Sequence, residues 1–226
     1  MLKIFLILLL LCVSSASIAQ QSQKEDYLSW TSSQAFNIGT KWRVAGRAGW
    51  GSRLDLFSSE NCFYDVRATL MTSEAIRAAA RLEQFRRHFT DAETHELVME
   101  AEKVAGLVVI IEINPREGSG IIPLTWHAIL QPKGAKDDSP LAILGINRPD
   151  LRQLWALTTV APRNYNYDVF WVVFPMKDRQ GKLIWETPPD VIEIVINIGD
   201  KHGQMSWRVN DSLRQRLISS TEESTH

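Results

Sequence analysis

The sequence predicts an α+β fold: an antiparallel β-sandwich, loosely immunoglobulin-like in strand count, with an N-terminal β-meander and an inserted helical hairpin. Three observations predict it. Apolar and polar residues alternate with period two over 41–71 and again in several stretches of 107–209. Helical periodicity is concentrated in 72–106. The strand-like stretches are joined by turns too short for parallel crossovers.

Residues 1–19 have the pattern of a cleavable secretory leader. Lys3 gives a positive start, an unbroken apolar run extends from Ile4 to Val13, and Ser17, Ile18 and Ala19 place small residues ahead of a cut before Gln20. Polar Ser14 and Ser15 end the run well short of the roughly 20 apolar residues a membrane span needs, so no stable span is expected after cleavage. Leu11 before Cys12 argues against a lipidated cysteine. The protein is therefore expected to be secreted or periplasmic. Polar residues 20–26 read as a flexible tether, 27–218 as a single α+β domain, and 219–226 as a disordered tail.

The meander of 41–71 contains three strands. They are carried by Trp42 and Val44, by Leu54 and Leu56, and by Tyr64, Val66, Ala68 and Leu70, with turns drawn from the glycine-rich stretch 46–51 and from 58–61. The helical hairpin of 72–106 follows. Ala78, Leu82, Phe85 and Phe89 form the first helix's stripe. Thr90 and Glu93 form a capping box for the second helix, Leu97, Ala101 and Val104 form its stripe, and Gly106 ends it. Arg77, Arg81, Arg86 and Arg87 on the first helix face a second helix carrying Glu93, Glu96, Glu100 and Glu102, an arrangement that sets register more than stability.

The sandwich strands occupy 107–209. Nearly continuous apolar runs at 107–113 and 169–174 mark strands covered on both faces, and Glu112 is the one charge inside the first. Cleaner alternation marks the others: Trp126, Ala128 and Leu130; Ile192, Ile194, Ile196 and Ile198; Met205, Trp207 and Val209. Residues 178–182 and 199–203 read as hairpin loops, 148–156 as a short helix opened by Pro149, and a last short helix follows Asn210.

Charge and motifs narrow the function. Lysine and arginine total 25 against 26 aspartates and glutamates, with no long block of one sign, so no nucleic-acid partner is expected. Of the two cysteines only Cys62 survives cleavage, which excludes an intrachain disulfide in the mature chain and favours a buried thiol over a reactive one. Five histidines are present. His88, His95, His127, His202 and His226 show no metal-ligand spacing, so no metal or other cofactor is expected. His127 is the one histidine that alternation places where a neighbouring strand's carboxylate, Glu112, could orient it as a general base, but no nucleophile motif accompanies it.

The glycines at 46, 49 and 51 and at 118 and 120 lack the strand-before, helix-after context of a phosphate cradle. Trp126, Trp171, Trp185 and Trp207 fall in strands and read as core, while Trp50, Tyr165 and Tyr167 are the aromatics to test as a ligand platform. No catalytic, cofactor or metal residue is assigned. The reading is an exported, non-enzymatic binding or structural protein with a protein or small-molecule partner. The alternative is a small exported hydrolase using His127 with a carboxylate.

Overall fold

The computed structural model describes residues 26–50, 63–115, 122–153 and 168–219. The leader, Leu54, Leu56, Cys62, Gly118, Gly120, Tyr165, Tyr167, His226 and most of the C-terminal tail lie outside the described residues.

A 3-10 turn at Asp26–Ser29 leads into helix α1 (Ser32–Thr40), which the alternation of neighbouring residues does not predict. Its capping box is complete: Thr31 Oγ1 accepts from the Gln34 N–H, and Gln34 Oε1 accepts from the Thr31 N–H. Strands β1 (Arg43–Trp50) and β2 (Tyr64–Leu70) then pair antiparallel, with Arg43 opposite Thr69 and Ala48 opposite Tyr64. The glycine-rich stretch read as a turn is therefore strand as far as Trp50. Gly46 is needed there for space, since a Cβ would come 2.9 Å from Met205 Cγ.

The helical hairpin is present as α2 (Ser73–Arg87) and α3 (Asp91–Glu102), joined through His88 in the left-handed conformation at φ 58°. The stripe of α2 buried with the strands is Ala75, Ile76, Ala79 and Ala80. Ala78 and Leu82 instead pack with Ala35 of α1. Phe85 is exposed beneath the Arg81 guanidinium, which corrects its placement on the buried stripe. Arg77 pairs with Glu102 across the hairpin at 3.2 Å, but Arg86 and Arg87 both turn to Glu83 of their own helix. The Thr90–Glu93 capping box closes in both directions. Thr90→Ala is expected to lower stability by about 1 kcal/mol, read as a lower urea midpoint at unchanged slope.

The remaining strands are β3 (Leu107–Pro115), β4 (His127–Pro132), β5 (Ile143–Leu144), β6 (Ile146–Asn147), β7 (Asp168–Phe174), β8 (Val191–Ile198) and β9 (Lys201–Arg208). The helix expected over 148–156 is a 3-10 turn, Pro149–Gln153, and α4 (Asp211–Ser219) follows β9. The loop at 178–182 is spanned by a single β-bridge, Lys177 to Leu183, and a two-residue turn with Gly199 at φ 62° joins β8 to β9.

All nine strands of the described residues lie in one sheet, in the order β5-β4-β8-β9-β1-β2-β3-β7-β6, with every described pairing antiparallel. The α+β class is as expected. The two layers of a sandwich and the immunoglobulin-like arrangement are not what the strands form, because the meander and the later strands share this sheet, which is nearly barrel-shaped. Alternation tells which face of a strand is buried and leaves open which strands are neighbours.

Closure rests on residues 143–147. Ile143 and Leu144 pair with β4, Ile146 and Asn147 pair with β7, and Gly145 between them donates its N–H to the Ala128 carbonyl at 2.9 Å. The two outermost strands of the sheet are thus one continuous segment. Along it Ile143 and Gly145 face inward, while Leu144 and Ile146 face out and are exposed.

The inner face carries Val66, Leu70, Ile111, Phe174, Leu130, Ile194 and Met205, all buried in one cluster. Because neighbouring strands are antiparallel, α1, the α2–α3 hairpin, α4 and the connections 133–142 and 175–190 all meet the sheet at the same end. The opposite end is formed by Trp50, Tyr64, Pro115, His127, Asp168 and the β8–β9 turn. Among the described residues no helix is long and apolar enough to cross a membrane.

Candidate functional site

The structure does not bring His127 and Glu112 together. Glu112 lies on the outer face of β3 opposite Arg67, and Arg43 of β1 reaches it across β2, with Nε 3.9 Å from Oε2. Arg43 Nε also donates to Thr69 Oγ1 at 3.2 Å. Glu112 is 1% exposed, and its Oε2 is buried without a hydrogen bond. Burial pushes its carboxyl above the usual range, against the opposing pull of the Arg43 and Arg67 charges. The same burial pulls the Arg43 guanidinium below its usual range, against the opposing effect of Glu112. This cluster is a buried charge group tying three strands together, not a base–orienter pair.

His127 lies on the outer face of β4 at the opposite end from the helices, and it is exposed. Its Nε2 is 3.2 Å from Asn197 Nδ2, and its Nδ1 is 3.5 Å from the Thr125 carbonyl oxygen. Asn197 is also directly opposite His202 in β9, and His202 is opposite Gly49 in β1. His127, Asn197 and His202 therefore form one row across three neighbouring strands, a juxtaposition that spacing along the chain does not reveal. His88 and His95 are exposed on the helical hairpin, away from this row. Among the described residues no group of three or more histidines, cysteines, aspartates or glutamates could hold a metal ion.

The tryptophans expected in the core are there. Trp171, Trp185 and Trp207 are buried, and Trp126, partly buried, packs against Phe170 with ring centroids 4.5 Å apart. Trp207 Nε1 donates to the Trp42 carbonyl at 2.8 Å, and Trp185 Nε1 to the Leu141 carbonyl at 2.8 Å. Trp185 is also a wall of a cleft at the helical end, of about 620 Å³, whose lining includes Pro132, Pro140, Leu141, Ile184 and Pro189.

Charged and polar groups edge the cleft: Asp178, the Lys182–Glu186 pair at 2.7 Å, and Thr187. The edge is held by local chemistry. Asp178 Oδ1 accepts the N–H groups of Gln180 and Lys182 at 2.9 Å each, which fixes the turn carrying Lys182, and Gln131 Nε2 donates to the Ala135 carbonyl at 3.0 Å. An apolar floor with a few polar groups at its edge can hold an apolar side chain or ring and orient it. No motif in the sequence marks it, since its residues come from the end of β4 and from the two separate connections 133–142 and 175–190.

No protein-family model matches the chain, and no curated protein matches it. Among solved structures the chain is similar to a novel protein of unknown function from Burkholderia pseudomallei. The match has 10% sequence identity and a TM-score of 0.40, and it covers 92% of this chain and 94% of that one.

Proposed function

We propose that this is an exported protein that works in the periplasm or outside the cell as a non-enzymatic binding or structural protein, with residues 27–218 as its single folded domain. The leader pattern of residues 1–19 supports export. The observation that carries the binding role is the cleft, where apolar Leu141, Ile184 and Trp185 lie beside prolines and a charged edge, the composition expected for a protein or small-molecule partner. Glu112, the carboxylate that the hydrolase alternative singles out, lies against Arg43, and among the described residues His127 meets the Asn197 amide instead.

Two measurements test this. N-terminal sequencing of the protein from the extracytoplasmic fraction is expected to begin at Gln20; the intact chain from Met1 dissolved in the cytosol overturns export. Screening the purified protein against ester, peptide, glycoside and phosphate substrates is expected to show no turnover. Turnover abolished by His127→Ala overturns the non-enzymatic reading.

A further inference from the structure

We infer that His127 and His202, flanking Asn197 on the outer face of the sheet, form a surface site for a borderline-soft divalent cation, Cu²⁺ in the first place. The register puts the three residues directly abreast on β4, β8 and β9. Cβ atoms of directly opposed residues on antiparallel strands are about 5 Å apart, which places the two histidine Cβ atoms about 10 Å apart across Asn197. Two imidazoles leaning toward each other bridge that span when each ring nitrogen lies about 2 Å from a shared ion.

The His127 ring is already turned the right way. The Thr125 carbonyl beside Nδ1 can only accept, which favours the proton there and leaves the Nε2 lone pair aimed at Asn197, toward His202. Both histidines are exposed. On the far side of His202 the residue opposite it in β1 is Gly49, which brings no side chain of its own toward the ring. The three backbone positions belong to continuous ladders, so the donors are held in place before any ion arrives. Two imidazole nitrogens, an amide that can turn its oxygen inward, and open positions for solvent suit copper ahead of zinc and exclude selection of calcium or magnesium. Two histidines and an asparagine make an exchangeable surface site, not a structural centre. It stands at the end of the sheet opposite the cleft, independently of the export and partner reading.

The test is titration of Cu²⁺ into the purified protein by calorimetry, with electron paramagnetic resonance of the loaded sample. One site is expected, with two imidazole nitrogens in the spectrum. His127→Ala and His202→Ala should each weaken it by at least about 10-fold, as much as loss of an outer-shell partner costs elsewhere. The double variant should be little weaker than either single one, because a chelate fails when either arm is lost. Asn197→His should tighten binding, while His88→Ala and His95→Ala should leave it unchanged. All these positions but Asn197 are exposed, so the alanine variants are expected to fold, and circular dichroism checks that they do. Unchanged binding in both His127→Ala and His202→Ala, or a spectrum with a single imidazole nitrogen, overturns the site.

Discussion

Gly145→Ala is expected to destabilise the protein by about 2–3 kcal/mol, the usual range for forcing an extra group into a packed interior. The added Cβ would lie 2.4 Å from Val172 Cγ1 and 2.9 and 3.0 Å from the Phe174 ring. Neither neighbour yields easily, because Val172 is β-branched and stiff and Phe174 is fully buried. The backbone itself is not the obstacle, since Gly145 is not among the positive-φ residues. The loss therefore comes from the close passage of the closing segment over β7. Trimming the neighbour in a Gly145→Ala, Val172→Ala double variant should return at least about 1 kcal/mol of coupling energy, read from urea midpoints. A single variant within 0.5 kcal/mol of the parent, or a double variant no better than the sum of its parts, would show that residues 143–147 do not cross β7 at this point.

Removal of the Glu112 carboxylate has the other large effect. Glu112→Ala is expected to lower stability by on the order of 3 kcal/mol at neutral pH, because it removes the buried carboxylate that offsets the poorly solvated Arg43 guanidinium and the nearby Arg67 charge. Replacing both members, Arg43→Met with Glu112→Leu, should bring stability back near the parent, since a buried pair held at 3.9 Å gains little over apolar packing. The pH dependence has a defined sign. Burial raises the folded carboxyl above its unfolded value, so between those two values the folded state holds more proton than the unfolded state. Stability relative to the double variant therefore falls as pH rises from the ordinary glutamate range through the raised value, and it is regained on acidification. A difference that grows in the parent's favour with rising pH contradicts this environment.

Much of the fold could be read from residue patterns, and the parts that could not share a cause. Continuous apolar runs at 107–113 and 169–174 identified two covered strands, and these turn out to be direct neighbours with Val109 opposite Val172. Thr90 and Glu93 located the start of α3 because a capping box is local chemistry. The same chemistry was present at Thr31 and Gln34. It went unread because α1 carries so weak an apolar stripe that only Ala35 and Gly39 are buried.

The site was harder to see because it depends on register between distant segments. The two-residue turn between β8 and β9 already implies Asn197 opposite His202. His127 joins that row only through the pairing of β4 with β8, 70 positions along the chain. Glu112 stands out in the sequence as the one charge in an apolar run. Its partner is Arg43 rather than His127, and the pattern does not show that β2 and β1, bringing Arg67 and Arg43, lie beside it.

The partnership of β1 with β9 sets an order on the birth of the molecule. Trp42 receives its hydrogen bond from Trp207, 165 positions later, so the first strand made must wait for nearly the last. Until the ribosome has released that final strand, β1 pairs only with β2 and stands as the open edge of the β1-β2-β3-β7 part of the sheet. A chain built this way joins its two halves along the β1–β9 edge only after β9 has emerged.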